Sequence, residues 1–170
     1  RAAAIAPPGV LNAARATGLT VSILPVDQGG GVDPQRVRAE LEQGDVGLVS
    51  IMLANNEIGT IQPIAAIGRM AHEAGVPLHC DAAQAAGRIP VDMERLGVDL
   101  MSVTAHKLYG PKGIGALIVA PGWHTRLQPL IHGGGQQDGL RSGTVPTPLA
   151  VGFGAAAARA RLLLGSERRS

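Results

Sequence analysis

The chain has 170 residues, a formal net charge of +2 and 45% hydrophobic residues, which suits one domain with a buried core and excludes wholesale disorder. Aromatics are 2% and no block of Lys or Arg stands out, which speaks against base-stacking platforms and against a nucleic-acid or acidic-lipid partner. A single Cys excludes a disulfide framework and a Cys-built metal cage and makes a reducing, cytoplasmic setting the default.

In chain order, Val10 to Ala16 reads as the end of a helix stopped near Gly18, and Leu19 to Leu24 as a β-branched strand. Asp27 to Gly31 is a Gly-rich turn. Asp33 is an N-cap with Pro34 at the first helical position, and the helix runs to about Gln43. Val46 to Leu53 is a continuous apolar run, the pattern of a strand buried on both faces. Pro63 opens a helix through Ala74, closed by Gly75, with Ile64, Ile67, Met70 and Ala71 on one face. Val76 to Cys80 is a short strand ending at Asp81, and Leu100 to Val103 another, ending at Thr104. Gly115 to Val119 is an adjacent strand, Gly133 to Gly143 a Gly-rich loop, and Pro148 to Leu164 a long Ala-rich helix. The charged tail Glu167 to Ser170 is expected to fray.

Strands alternating with helices predict an α/β fold with a mostly parallel sheet flanked by helices. Residues 1–170 form a single domain on this reading, and no apolar run is long enough for a membrane span. Arg1 to Val10 lacks a signal-peptide layout and an initiator Met, so the chain reads as part of something longer. Ligands of such sheets bind beyond the carboxyl ends of the strands. Three ends carry polar chemistry: Asn55-Asn56, Asp81, and Thr104-Ala105-His106-Lys107.

Thirteen of the 15 cations are Arg, and the only lysines are Lys107 and Lys112. Arg cannot replace Lys where a neutral amine must attack a carbonyl. Lys107, with hydroxyl and imidazole donors beside it at the sheet rim, suits a Schiff base with a bound aldehyde. Thr104 and His106 suit a phosphate. Asp81 reads either as an N-cap for the following turn or as the partner of a cationic ring nitrogen, and Gln84 can face the same space. Together these groups describe a pyridoxal-phosphate site. No His or Cys cluster has metal-ligand spacing, so no metal is expected. Cys80, next to Asp81 on a strand, points to the opposite face and reads as a buried structural thiol. His72 reads as solvated, and Lys112 as a loop charge. Trp123 and His124 read as surface or interface packing. His132 reads as structural or as ordering a subunit contact. His79 reads as packing on the sheet, with a place beside the cofactor as the other reading. The Gly133 to Gly143 loop is not a nucleotide P-loop, because no Gly-Lys-Ser/Thr follows.

Four segments resemble the NifS/IscS-like cysteine desulfurases, in that family's order and spacing: VSIMLANNEIG (Val49 to Gly59) with Ile61-Gln62-Pro63-Ile64, HCDAAQAAGRIPVD (His79 to Asp92), DLMSVTAHKLYGPKGIGAL (Asp99 to Leu117) and HGGGQQDGLRSGT (His132 to Thr144). The resemblance covers roughly residues 46 to 150. It implies a fold-type-I, aminotransferase class V enzyme, a dimer with a large α/β domain and a smaller C-terminal one, of which this chain is the central part. Residues 148–170 would then be a helix leading towards that small domain. The resemblance further implies that Lys107 holds the cofactor and that Asp81 pairs with the pyridine nitrogen. Gln84 would bond the ring hydroxyl oxygen, and Thr104 and His106 the phosphate. Asn56 would lie near the ring and the substrate carboxylate. Thr144 would reach the neighbouring subunit's cofactor. The implied reaction converts L-cysteine to L-alanine, with sulfur kept as an enzyme persulfide. The implied role is in sulfur metabolism, with transfer to an iron–sulfur scaffold, a tRNA-thiolation relay or another acceptor protein.

Three pieces of the family pattern have no counterpart here: the nucleophilic cysteine loop, the substrate-carboxylate arginine and the N-terminal phosphate-binding turn. A ring-stacking histidine would fall near Pro7, where the chain reads Ala6-Pro7-Pro8-Gly9-Val10. The isolated chain is therefore expected to be inactive. A selenocysteine lyase, another class V enzyme, or a non-catalytic remnant that only folds or dimerises are the alternatives.

Overall fold

The structure, a computed structural model, describes residues 2–5 and 8–167. Six strands, β1 (Ala2–Ile5), β2 (Val21–Ile23), β3 (Leu48–Met52), β4 (Leu78–Asp81), β5 (Leu100–Thr104) and β6 (Gly115–Val119), form one sheet in the order β2-β1-β3-β4-β5-β6. The first five are parallel and β6 runs antiparallel to β5. The α/β class and the mostly parallel sheet are as the sequence predicts. The strand β1, of sequence Ala-Ala-Ala-Ile, has no counterpart in the sequence reading, because Ala is a weak strand former. Its place between β2 and β3 comes from pairing with both.

Four helices connect the first five strands, α1 (Pro8–Ala16), α2 (Pro34–Leu41), α3 (Ile64–Glu73) and α4 (Met93–Leu96), and α5 (Thr147–Glu167) follows the last strand. Asp33 caps α2 as expected, its carboxylate accepting the Gln35 N–H. In α3, Ile64, Ile67 and Ala71 are buried, which places the predicted apolar stripe on the sheet. Gly75 follows with φ 68°, the left-handed exit that a Cβ disfavours. The core consists of these residues with Val37, Val49, Ile51, Leu78, Cys80 and Met101, so it lies between the sheet centre and α2/α3. Pro7 and residues 168–170 of the charged tail lie outside the described residues; Glu167 is the last residue of α5.

Two loops are fixed from a distance. Gln62, buried, accepts the Val32 N–H at 2.9 Å and donates to the Gly30 carbonyl at 2.7 Å, while Thr60 donates to the Gly29 carbonyl. The turn at Asp27 is thereby tied to the end of β3. The second tie adds a partner to His72, which stays half-exposed to solvent as the sequence reading expects. His72 Nε2 donates to the buried Asp99 carboxylate at 3.1 Å, and the same carboxylate accepts the Leu78 N–H at 2.8 Å. This bond pins α3 to the start of β4.

Candidate functional site

Strand alternation decides which groups share the site. Side chains on one face of a sheet recur every second residue. Ser50 pairs with His79 across β3 and β4, and Asp81 pairs with Ser102 across β4 and β5. His79, Asp81, Ser102 and Thr104 therefore lie on one face, with Asp81 and Thr104 at its carboxyl edge. Cys80 lies on the other face, fully buried among core residues. Burial, followed by the charge of Asp81, pushes its thiol up to about 12. The structural reading of Cys80 holds: a thiol kept protonated in a core is no nucleophile.

The capping reading of Asp81 holds. Its Oδ1 accepts the Ala83 N–H at 3.0 Å, which caps the turn after β4. That bond fixes the carboxylate and leaves the second oxygen for another donor. The turn carries Gln84 into a cleft of about 390 Å³ that Asn56, Glu57, Ala85 and Arg88 also line. Asn55 is occupied otherwise. Its side-chain oxygen accepts the Glu57 and Ile58 N–H groups, so it shapes the loop and Asn56 is the one exposed.

Lys107 sits half-buried on a single 3-10 turn, Ala105–Leu108, that follows β5 directly. Ala105 and Leu108 on either side of it are buried and clamp the turn. Tyr109 then takes a left-handed φ of 61°, and the Gly110 N–H bonds the Ala105 carbonyl at 2.9 Å. A non-glycine residue in this region is held there by its surroundings. The turn packs tightly: a Cβ on Gly87 would lie 2.3 Å from Leu108, and one on Gly110 3.1 Å from Ala156 of α5. Immediately before Lys107, Thr104 Oγ1 and His106 Nδ1 are 3.0 Å apart. A hydroxyl and an imidazole are thus paired at the strand end, the donor chemistry a phosphate takes.

The structure groups the residues expected from sequence in two sets. Asn56 and Gln84 share the cleft; Asp81, Thr104, His106 and Lys107 share the rim formed by β4 and β5. Gln84 belongs to the same turn as Asp81 and links the two. Thr144 stands apart. It is exposed after the Gly133 to Gly143 loop and makes no hydrogen bond to the other six among the described residues. That loop is closed on itself: Ser142 is buried with its hydroxyl accepting the Gly135 N–H, and Gln136 accepts the Gly143 N–H. Lys112 follows in the loop before β6, as the loop-charge reading requires. Trp123 stacks on Arg126 at 4.6 Å.

Two features escaped the sequence reading. Arg88 lines the cleft and lies 6.0 Å from the ring of the exposed Tyr109; nothing in their spacing signals that contact. Ser50 lies 2.8 Å from His79 Nδ1. There the signal was available, since His79 and Asp81 stand at i and i+2. Among the described residues no group of His, Cys, Asp and Glu is arranged to hold a metal ion.

Comparison with known proteins gives the family. The aminotransferase class-V family model matches residues 4–163. The chain belongs to that family. It is 55% identical over 139 residues to a mitochondrial cysteine desulfurase of Arabidopsis thaliana, covering 82% of this chain and 30% of that protein. It is 50% identical over 157 residues to the cysteine desulfurase IscS of Anaeromyxobacter dehalogenans, covering 92% and 39%. Among solved structures, a NifS-like protein superposes with a TM-score of 0.89 at 39% identity, over 97% of this chain and 46% of that one. SspA in complex with cysteine gives 0.86 at 42% identity, over 92% and 46%. The chain therefore spans less than half the length of these relatives.

Proposed function

We propose that this chain is the cofactor-binding core of a pyridoxal-phosphate-dependent cysteine desulfurase, which takes sulfur from L-cysteine and leaves L-alanine. The observation that carries the reading is the Thr104–His106 pair, directly before Lys107 and on the strand face of Asp81. It supplies phosphate donors, an amine and a carboxylate along one sheet rim, the donor set this cofactor requires.

In this reading Lys107 is the residue that carries the cofactor, and its Nζ moves the proton of the substrate α-carbon as base and then acid. Asp81, fixed by the Ala83 N–H, directs its free oxygen to the pyridine nitrogen and keeps a proton there. Thr104 and His106 hold the phosphate, Gln84 bonds the ring hydroxyl oxygen, and Asn56 lies against the ring and the substrate carboxylate. Bound pyridoxal phosphate supplies an electron sink for the charge that develops at that carbon. Thr144 reaches the neighbouring site in a homodimer. The nucleophilic cysteine is supplied from outside these residues, since Cys80 is buried and protonated.

The domain reading is part of the proposal: the chain forms part of a large domain, with α5 leading towards a smaller one. Bare apolar surface supports it. Leu117 and Ile118, adjacent on β6 and so on opposite faces, are 51% and 45% exposed, and Val151 and Leu162 of α5 are 67% and 72% exposed. A helix apolar on all sides is ordinarily covered. We place the protein in the cytoplasm, in sulfur transfer to an acceptor protein such as an iron–sulfur scaffold. The IscS name of a 50%-identical relative supports that assignment, and no helix among the described residues is long and apolar enough to cross a membrane.

The test is the visible absorption spectrum of the purified chain with added pyridoxal phosphate. Wild type is expected to develop the band of the lysine-held cofactor, and Lys107→Ala to lack it. A folded wild-type chain without the band overturns the reading, and the remnant alternative then stands.

A further inference from the structure

We propose that Ser50 and His79 form a positioning unit for Asp81: Ser50 holds the His79 imidazole neutral beside the carboxylate, so that the Asp81 charge is left for the cofactor's ring nitrogen. The inference rests on the cofactor-site reading above and adds two residues to it.

The geometry begins with the sheet register. Ser50 faces His79 across β3 and β4, and their side chains meet at 2.8 Å, Oγ to Nδ1. Ser50 is buried and the ring half-buried. His79 and Asp81 lie two residues apart on one strand, so their side chains point to the same face with His79 directly behind the carboxylate. The other groups on this face are Ser50 and Met52 from β3, and Leu100, Ser102 and Thr104 from β5. Asp81 is the only charged one among them. A protonated imidazole there would be a cation on the same strand face, about 7 Å along the strand from Asp81, and would compete with a protonated ring nitrogen for it.

Burial favours the neutral ring, and the Ser50 contact orients it. Burial lowers the His79 pKa, and it outweighs the opposing charge of Asp81. The Ser50 hydroxyl, when it donates to Nδ1, occupies the nitrogen that a proton would take and selects the tautomer with hydrogen on Nε2. Among the described residues Nε2 has no hydrogen-bond partner, so Ser50 alone orients the ring. A histidine that only filled space would need neither the buried hydroxyl nor the neutral state.

Two measurements test the unit. The first needs no cofactor: nitrogen-15 NMR of the imidazole rings in the folded chain. His79 is expected in one neutral tautomer, protonated at Nε2, and more than half neutral at pH 6.5, where an ordinary histidine is half protonated. A mixed tautomer, or half protonation at that pH, overturns the proposal. The second is a titration with pyridoxal phosphate at pH 6 and pH 8. Ser50→Ala frees the ring to protonate, and roughly fivefold to tenfold weaker retention is expected at pH 6, with little change at pH 8. His79→Gln, which cannot protonate, should remove the pH dependence, with any loss of retention the same at pH 6 and pH 8. Equal weakening of Ser50→Ala at both pH values marks a packing role only and overturns the proposal while leaving the cofactor site intact. A wild-type chain that binds no cofactor at either pH overturns the site reading and this proposal with it.

Discussion

Cys80 and Asp81 are neighbours in sequence and opposites in chemistry, because strand alternation sends one into the core and the other to the rim. A thiol raised to about 12 stays protonated at neutral pH. Cys80 should therefore resist a thiol-directed disulfide reagent at pH 8 in the folded chain and react at once in denaturant; fast labelling without denaturant would contradict its burial. The fate of this residue was legible in the sequence, since a lone Cys on a short apolar strand is ordinarily buried. Asp81, Thr104, His106 and Lys107 were legible for a different reason. Each ends a strand or directly follows one, and the rule that ligands gather at carboxyl ends of parallel strands singles out those positions. Arg88 was not legible, because its approach to Tyr109 depends on how two turns pack. The His72 bond to Asp99 was hidden likewise, since their proximity is set by how α3 packs against the start of β5.

At the scale of elements, helix crossings are held by close contacts that tolerate no added volume. Gly68 on α3 is the sharpest case: a Cβ there would lie 2.6 Å from the carbonyl oxygens of Leu96 and Gly97, at the end of α4. Those oxygens are backbone and have little room to yield. Gly68→Ala should cost about 1–3 kcal/mol through overpacking, a fall in melting temperature of about 2–4 °C for each kcal/mol in a chain of this size. An unchanged melting temperature would show that the α3–α4 crossing relaxes freely. The sequence showed α3 clearly, through its apolar period, its proline start and its glycine stop. It did not show α4, whose four residues make too short a period to register.

Across the whole molecule, the parallel sheet follows from alternating strand and helix patterns, yet its order does not. The strand β1 pairs with β2 on one side and β3 on the other, so the link from β2 to β3 crosses over it. Its alanines give no strand signal, and its place one strand in from the edge is a tertiary result. The antiparallel β6 was legible as an adjacent strand but without a direction, which its short link from β5 supplies. Burial of His79 also carries a consequence for global stability. Its folded pKa lies below the ordinary 6.5 of the unfolded chain, so between those values the unfolded state binds the proton and the folded state does not. The contribution is fully present above about pH 6.5 and is lost as pH falls towards the folded value. Denaturant melts of wild type and His79→Gln should differ in this window, with the acid-side loss smaller in the variant. Parallel pH profiles would contradict a His79 buried in its neutral form.

The central claim is that Lys107 holds pyridoxal phosphate, and the chain offers an unusually direct test because Lys107 and Lys112 are its only lysines. Borohydride reduction of the chain loaded with pyridoxal phosphate fixes the cofactor on whichever amine holds it, and peptide mass mapping then reads the position. One label is expected, on Lys107, and none in Lys107→Ala. A label on Lys112, on the chain's amino terminus, or on no residue of a folded chain would contradict the claim.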